Sequence, residues 1–361
     1  MAVVKIRNLV KHFGKVVAVN NVSFEVADGE FFALLGPSGC GKTTTLRCIA
    51  GLETPESGDI LIDDVRVNDV GPKDRDIAMV FQFYAMYPGM KAFDQIAFPL
   101  VARKVPKDEI ASRVKEIAKR VGIATILDEP VERLTVDQKQ RIALARAIVR
   151  NPKVYLLDEP LTNLDAGLRI QMRAELKHLQ SSIGTTTIFV THDQLEAIAL
   201  ASKVLVMNEG QIMQIDAPES LYEKPRSLFV AGFVGSPPMN FIDCNYAQKD
   251  GTANIDAGEF LYDVTELKRY LEGLEGSPLV MGVRPEYLRL SRNKTAAPAI
   301  KGKVELLEPL GDRLIVSLSI GKISLKANIR PTDIERGESV WLSFDANKIL
   351  LFDKPTGKAL V

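Results

Sequence analysis

The sequence predicts an α/β domain over residues 1–235 and a smaller all-β domain over residues 236–361. In the first part, short apolar runs alternate with helical patterns, which is typical of a sheet covered by helices. A glycine-rich segment joins one of these runs to a helix at residues 36–43. Pro237 and Pro238 then block both helix and central strand, and short apolar runs with Gly and Pro turns follow them. We therefore place the domain boundary near residue 235.

Four apolar runs predict strands of a parallel sheet, because strands buried on both faces are apolar throughout: residues 31–35, 77–81, 154–157 and 187–190. The patterns between them predict helices over residues 42–49, 107–121, 139–150 and 168–183. Antiparallel strands are expected at residues 16–26 and on both sides of a turn at residues 208–210. In the second domain, short strands fit an OB-type barrel, at residues 279–283, 303–307, 314–318, 323–327, 340–344 and 349–352.

Composition excludes several classes of protein. Lys and Arg together number 46, as do Asp and Glu, so the formal net charge is zero and no nucleic-acid partner is expected. The longest apolar runs, such as residues 197–201, fall well short of the roughly 20 residues of a membrane span. Three cysteines are too few for a disulfide framework, and no basic-then-apolar leader opens the chain. These features favour a reducing, cytosolic location.

A phosphate-binding loop is indicated directly after the predicted strand at residues 31–35. Two glycines, a lysine and a hydroxyl residue have the required spacing in Gly36-Pro37-Ser38-Gly39-Cys40-Gly41-Lys42-Thr43. Glycines let backbone amides wrap the phosphates, Lys42 is placed to meet the outer phosphates, and the Thr43 hydroxyl can ligate Mg²⁺. The alternative is a simple strand-to-helix turn. In either case a small spacer is the simplest role for Cys40.

Polar side chains follow three more of the predicted strands. Asp158 suits a Mg²⁺ shell because that ion prefers hard oxygen ligands, and Glu159 is the candidate to position or deprotonate an attacking water. Gln82 ends the run at residues 77–81 and is placed to reach the same ion or its waters. His192 follows the run at residues 187–190. Without the phosphate loop, the simpler interpretation of Asp158 and Glu159 is two solvated carboxylates at the end of a strand. For His192 alone, a structural role is as well supported as a functional one. The simplest role for Phe13 is core packing.

In this order, the motifs resemble those of the nucleotide-binding subunits of ABC transporters. Two further segments contribute to the resemblance, Leu134-Thr135-Val136-Asp137-Gln138 and Leu164-Asp165. Residues 81–88 resemble the glutamine loop of sugar-importer ATPases of the maltose and glycerol-phosphate type. Residues 282–286 and the barrel-like tail resemble the regulatory domain of that group. The resemblance covers essentially the whole chain.

The resemblance implies a P-loop NTPase (ABC ATPase) domain with an antiparallel β subdomain and a helical subdomain at about residues 84–150, followed by the OB-type barrel. It also implies roles for single residues. Phe13 would stack on adenine, Glu159 would be the catalytic base, and His192 would be a switch near the terminal phosphate. Lys42 would assist catalysis, Thr43 and Asp158 would surround Mg²⁺, and Gln82 would sense its water shell. The phosphates of ATP would be held by Gly36, Pro37, Ser38, Gly39, Cys40, Gly41, Lys42, Thr43 and Thr44.

The resemblance further implies partners. A second ABC ATPase subunit would pair head to tail with this chain, so that Thr135 and Gln138 meet the partner's ATP and Asp165 communicates across the dimer. Two transmembrane permease subunits would hold the chain on the cytoplasmic face of the cell membrane, and an extracellular solute-binding protein would act indirectly. Candidate permease contacts, for which ordinary packing is an equal alternative, are Tyr84, Tyr87, Pro88 and Met90.

The signature segment departs from the family pattern Leu-Ser-Gly-Gly-Gln. Thr135 keeps a hydroxyl, but Val136 and Asp137 replace both glycines. The β-carbon of Val136 can block close approach of the backbone to a nucleotide. The Asp137 carboxylate brings a negative charge toward the phosphates, with a repulsion of roughly 4 kcal/mol at about 4 Å and a dielectric of about 20. Asp137 can also simply cap its own helix. The segment predicts a weakened site, or an asymmetric one in a heterodimer with an intact second subunit.

Three functions compete at this point. The first is an ATP-hydrolysing subunit that powers import of a sugar or similar solute. The second is a nucleotide-binding regulatory or structural subunit with little turnover, which the altered signature favours and the presence of Glu159 and His192 opposes. The third is a soluble ABC ATPase that acts on DNA or ribosomes, which the zero net charge and the importer-like tail oppose.

Overall fold

The computed structural model describes residues 2–162, 164–249, 252–294 and 299–360. The chain divides into two compact units, Met1–Pro218 and Glu219–Val361. Within the described residues, no helix is both long and apolar enough to cross a membrane.

The first unit is built on two sheets. Their strands are β1 (Val4–Phe13), β2 (Val16–Val26), β3 (Phe31–Leu35), β4 (Ser57–Ile62), β5 (Val65–Arg66), β6 (Ile77–Val80), β7 (Val154–Asp158), β8 (Thr186–Thr191), β9 (Lys203–Asn208) and β10 (Gln211–Asp216). The larger sheet has the order β10-β9-β3-β8-β7-β6, and the smaller has the order β2-β1-β4-β5. Five strands of the larger sheet run parallel to one another: β6, β7, β8, β3 and β9. The edge strand β10 is antiparallel to β9. The predicted parallel sheet and hairpin are confirmed.

Helices cover these strands and fill the connections between them. They are α1 (Lys42–Ala50), α2 (Ala92–Ala102), α3 (Lys107–Arg120), α4 (Val136–Ile148), α5 (Ala166–Ile183) and α6 (Gln194–Leu200). One apolar core joins the two sheets and α1; among its members Phe32, Leu46 and Ile60 are fully buried. The start of α4 differs from the prediction, because the helix begins three residues before Lys139.

The second unit is mainly antiparallel β-structure. It contains α8 (Leu228–Phe233) and α9 (Lys268–Leu271), and α7 (Pro218–Glu223) leads into it. Its strands are β11 (Asn240–Lys249), β12 (Thr252–Asp256), β13 (Leu261–Asp263), β14 (Pro278–Val283), β15 (Leu288–Ser291), β16 (Ile300–Pro309), β17 (Leu314–Ile320), β18 (Ile323–Ile329), β19 (Ser339–Phe344) and β20 (Ile349–Asp353). They form two five-stranded sheets with the orders β13-β12-β11-β14-β20 and β15-β19-β16-β17-β18. Side chains from both sheets share one apolar core.

This unit begins earlier in the chain than the predicted boundary near residue 235. Arg284, directly after β14, explains the difference. Its side chain is buried, and its guanidinium lies 4.0 Å from the ring centroid of Tyr222. It donates hydrogen bonds to the carbonyl oxygens of Tyr222, Ala231 and Val234. These contacts fasten α7 and α8 to the β-structure that follows, so both helices belong to this compact unit.

Candidate nucleotide-binding site

Two glycines of the phosphate loop are required by close backbone approach. A β-carbon at Gly36 would collide with the carbonyl oxygen of Met207, and one at Gly41 with the carbonyl oxygen of Ala18. Gly41 also has a φ of 105°, which L side chains rarely adopt. The loop is thereby pressed against β2 and β9, and residues 42–44 open α1 behind it. Because the N-cap of α1 is Gly41, no side chain caps the first amide groups of that helix, and such uncapped amide groups are suited to bind an anion.

Lys42 is a buried cation held by neutral groups. Only 4% of the residue is exposed. Its Nζ donates to the carbonyl oxygens of Gly36 at 2.9 Å and Pro37 at 2.8 Å, and it lies 3.8 Å from Cys40 Sγ. A buried charge is stabilised best by an opposite charge. The ammonium therefore suits a bound anion.

Thr43 and Asp158 form the pair expected of a Mg²⁺ site. The Thr43 hydroxyl donates to Asp158 Oδ1 at 2.8 Å, joining the start of α1 to the end of β7. Asp158 is 5% exposed, and burial raises the pKa of its carboxyl. An ion bound there would reverse that effect by favouring the carboxylate. The described residues contain no cluster of three or more His, Cys, Asp or Glu side chains able to hold a metal, so an ion here would also need water or phosphate ligands, as Mg²⁺ commonly does.

Glu159 lies at the centre of a polar cluster. His192 Nδ1 lies 3.1 Å from Glu159 Oε2. Gln82 Nε2 donates to the same oxygen at 3.5 Å, and the Thr162 hydroxyl donates to it at 3.2 Å. Among the described residues these contacts all involve Oε2 and none involves Oε1, so Oε1 is the oxygen suited to accept a hydrogen bond from a water. The backbone of Glu159 has a φ of 44°, which turns the chain sharply out of β7.

Sheet topology explains why these residues meet. Strands β6, β7 and β8 are parallel neighbours, so their carboxyl ends lie at one edge. Gln82, Glu159 and His192 each follow one of those ends. This edge is the usual ligand position in open α/β sheets. The structure brings together Lys42, Thr43, Asp158, Gln82, Glu159 and His192 through neighbouring strand ends and α1.

The other sequence-predicted residues lie on separate elements. Phe13 ends β1 and is 47% exposed, with the Lys11 ammonium 5.1 Å from its ring centroid. This exposure does not fit core packing, which was the simpler of the two expected roles for Phe13, and the role in stacking on adenine stays a prediction. Asp165 is the N-cap of α5 and accepts a hydrogen bond from the backbone N–H of Leu168 at 3.0 Å.

Comparisons with known proteins place both parts of the chain in known families. Residues 19–162 match the family described as ABC transporter, residues 235–288 the MalK OB fold domain, and residues 281–352 the TOBE domain. The chain is 49% identical over 375 residues to the trehalose/maltose import ATP-binding protein MalK of Thermococcus litoralis, with 100% of each chain covered. This chain belongs to the ATP-binding subunits of ABC transporters.

Other relatives of this ABC subunit are also import proteins. It is 44% identical over 364 residues to the oligosaccharides import ATP-binding protein MsmX of Bacillus subtilis, with 99% of each chain covered. It is 46% identical over 323 residues to the sn-glycerol-3-phosphate import ATP-binding protein UgpC of Bordetella avium, covering 89% of this chain and 87% of that one. The subunit is an ATPase whose activity is coupled to import, and the regulatory alternative is not favoured.

Solved structures match the nucleotide-binding part. CbiO1 from Clostridium perfringens, part of the ABC transporter complex cbiONQ, is 31% identical with a TM-score of 0.57, over 60% of this chain and 89% of that chain. The ATP-binding cassette MJ0796, dimeric and bound to ADP and Pi, is 29% identical with a TM-score of 0.54, over 60% of this chain and 98% of that chain. Import ATPases of this family dimerise and work with membrane permeases, and this subunit shares that general arrangement.

The altered signature of this ABC subunit opens α4. Thr135 is the N-cap: its hydroxyl accepts from the backbone N–H of Gln138 at 3.3 Å, and the Gln138 side chain accepts from the Thr135 N–H at 3.0 Å. Thr135 still has a hydroxyl proton to donate. The prediction that Asp137 caps this helix is wrong, because Asp137 lies in its first turn.

Asp137 instead pairs with Arg141, a residue that is not part of any of the motifs. Arg141 Nε donates to Asp137 Oδ1 at 2.9 Å. The other guanidinium nitrogens donate to Glu175 at 2.6 and 3.1 Å, and to the Val121 carbonyl oxygen at 3.0 Å. The i,i+4 spacing of Asp137 and Arg141 is the signal that would have found the pair. The signature carboxylate is therefore partly neutralised within its own helix.

The segment after Gln82 is fastened to the helical part of the unit. Arg146 on α4 donates to the carbonyl oxygens of Tyr84 at 2.8 Å and Ala85 at 2.9 Å. Gln95 on α2 is fully buried and forms two hydrogen bonds with the backbone of Tyr87. Burial lowers the pKa of the Arg146 guanidinium. These contacts hold the glutamine-loop segment against α2 and α4.

Proposed function

We propose that this subunit hydrolyses ATP with Mg²⁺ to drive uptake of a sugar or a related solute. The observation that carries the proposal is the contact of Glu159 with His192 at 3.1 Å, beside the Thr43–Asp158 pair. The relatives named for import of trehalose/maltose, oligosaccharides and glycerol-3-phosphate support this class of solute.

The residues present fit the phosphates and the ion. The loop at residues 36–41 supplies backbone amides, residues 42–44 supply the start of α1, and the Lys42 ammonium supplies the positive charge. Thr43 and Asp158 offer the hard oxygens that Mg²⁺ prefers, and the bound ion would neutralise phosphate charge. The half-exposed ring of Phe13 is the proposed partner for adenine.

Glu159 is the proposed base. Its Oε2 is occupied by Gln82, Thr162 and His192, which fix the carboxylate so that Oε1 can accept a proton from water. The His192 side chain is 46% exposed, whereas that of Glu159 is 16% exposed. His192 can therefore reach both the base and a phosphate placed outside it, and Gln82 is positioned to respond to the ion's waters.

We also propose the finer partnership. A second ABC ATPase subunit, identical or different, would receive Thr135 and Gln138 at its ATP, and two permease subunits would hold the pair on the cytoplasmic face of the membrane. A solute-binding protein would deliver the cargo outside. Phe83 is 74% exposed and Tyr87 41% exposed, next to the fastened glutamine-loop segment, which supports a docking face there.

The test combines two substitutions with a matched control. Glu159→Gln should keep ATP affinity within about twofold and lower phosphate release by about a hundredfold or more, because only the base is lost. Lys42→Ala should weaken ATP binding itself. Glu116→Gln changes an exposed carboxylate on α3 and should leave both unchanged. Normal phosphate release from Glu159→Gln, or unchanged ATP affinity in Lys42→Ala, would refute the proposal.

The solute is tested separately. Proteins that copurify with the tagged full chain should include permease subunits, and vesicles carrying that complex should take up a sugar only with ATP inside. Uptake of an unrelated solute class alone would leave the ATPase proposal standing and overturn the sugar assignment.

A further inference from the structure

The segment that carries His192 is fixed on both sides. Before it, the Thr191 hydroxyl donates to Glu196 Oε2 at 2.6 Å. After it, Asp193 caps α6 through two backbone N–H groups of the first turn, and its own N–H donates to Thr191 Oγ1 at 2.9 Å. These contacts set the main-chain direction at His192, and with it the path of the imidazole toward Glu159.

Arg169 reaches this segment from α5. Its Nη1 lies 3.5 Å from Asp193 Oδ2, and its Nε lies 3.8 Å from Glu196 Oε1. Its Nη2 donates to the carbonyl oxygen of Leu164 at 3.1 Å, one residue before the N-cap Asp165. The planar guanidinium of Arg169 thus joins the loop before α5, at Leu164, to the segment that carries His192. A lysine cannot make this fork of contacts.

Arg169 also faces a buried charge. Glu196 is 3% exposed, and burial raises the pKa of its carboxyl. A buried carboxylate that loses its cation is strongly destabilising. Arg169 therefore has two separable effects: it balances the charge of Glu196, and it links Leu164 to Asp193.

We propose that Arg169 is a positioning residue for His192, and that it couples the loop carrying Asp165 to the contact between His192 and Glu159. A displacement of that loop moves Arg169 through its hydrogen bond to Leu164, and Asp193 follows because its carboxylate forms an ion pair with the same guanidinium at 3.5 Å. The inference deepens the proposed hydrolysis, on which its kinetic part rests. Its structural part concerns only the direction of the His192 ring.

The structural part is tested by NMR of the histidine rings in the full chain. Only three histidines are present, so their Cε1–H signals are few, and His192→Gln identifies the relevant one. The Arg169→Gln/Glu196→Gln double variant removes the fork together with the buried charge, and it is compared with Glu196→Gln alone because Glu196 itself accepts a hydrogen bond from Thr191. We expect the His192 signal to shift and the other two to stay. Arg173→Gln, one turn further along α5, should move none of them.

The kinetic part uses the same variants. The double variant should lose about tenfold in kcat with little change in KM, because Arg169 lies away from the phosphate loop. Arg169→Lys should retain part of the rate. If the double variant recovers the melting temperature and also the wild-type His192 signal and kcat, Arg169 only balances charge and the proposal is overturned. A shifted His192 signal in a chain that hydrolyses no ATP would refute the proposed function and leave this positioning role standing.

Discussion

Asp137→Asn is the sharpest perturbation of the altered signature, because it removes a charge and keeps the shape of the side chain. A phosphate about 4 Å from the carboxylate would be repelled by roughly 4 kcal/mol at a dielectric of about 20. Arg141 lies 2.9 Å from Asp137 and opposes this effect. A guanidinium at about 7 Å from the phosphate would return roughly 2 kcal/mol on the same scale. Because Arg141 stays in the variant, Asp137→Asn removes the whole carboxylate repulsion of roughly 4 kcal/mol, which corresponds to a factor of several hundred, on the order of 10³ at most.

The assay is ATP-driven association of full-length chains, measured by analytical ultracentrifugation in the Glu159→Gln background so that ATP persists. Asp137→Asn should lower the ATP concentration needed for half-maximal association by roughly several hundredfold, because the repulsion of about 4 kcal/mol is lost. The matched control is Asp108→Asn, which removes a carboxylate from the same position in the first turn of α3. Both substitutions lose a comparable helix-dipole interaction. Only the substitution in α4 should change the response to ATP.

The full Ser-Gly-Gly replacement separates charge from backbone approach. Any gain beyond that of Asp137→Asn measures the obstruction by the Val136 side chain, which is 50% exposed. If neither variant changes association or the ATPase rate in an otherwise wild-type chain, the signature carboxylate does not face a phosphate. The proposal of a weakened or asymmetric site would then fail.

Two further predictions concern stability and thiol chemistry. Gly41→Ala should lower the free energy of unfolding by more than about 2 kcal/mol, since the new β-carbon collides with the Ala18 carbonyl oxygen, whereas Gly39→Ala meets nothing within 4 Å and should lose only about 1 kcal/mol of backbone strain. Urea titration measures both, and equal losses would contradict the reasoning. The three buried cysteines, Cys40, Cys48 and Cys244, should react slowly with Ellman's reagent at pH 8 in the native chain, and all three thiols should titrate after denaturation. Burial raises the pKa of each thiol, to about 12 for Cys48 and Cys244, and so keeps the thiols protonated. A thiol that reacts within seconds in the native chain would contradict this reasoning.

Much of the candidate site was predictable because its chemistry is local. The spacing from Gly36 to Thr43 specifies a loop and a helix start within eight residues. The apolar runs indicate parallel strands, and parallel strands bring their carboxyl ends to one edge. That rule predicts that the residues after β6, β7 and β8 converge. The 3.1 Å contact between Glu159 and His192 follows from the order of those strands in the sheet, which the runs alone do not specify.

Other features could not be predicted because they depend on distant partners. The pattern after Lys139 is helical, but the start of α4 at Val136 is set by the reciprocal hydrogen bonds of Thr135 and Gln138. The attachment of α7 and α8 to the second unit depends on the hydrogen bonds of Arg284 to backbone segments around 50 to 60 residues earlier. A motif that covers a few consecutive residues contains no information on such contacts.

The sequence by itself determined the chemical groups of this subunit: a loop able to bind phosphate, carboxylates after strands, and a hydroxyl in place of the signature serine. Local spacing and apolar periodicity were sufficient, because each feature lies within one element. The tertiary structure alone decided which charges are compensated. Asp137 is paired by Arg141, and Arg169 lies between Leu164, Asp193 and Glu196. Electrostatic energy depends on distance and burial, and both exist only once the chain has folded.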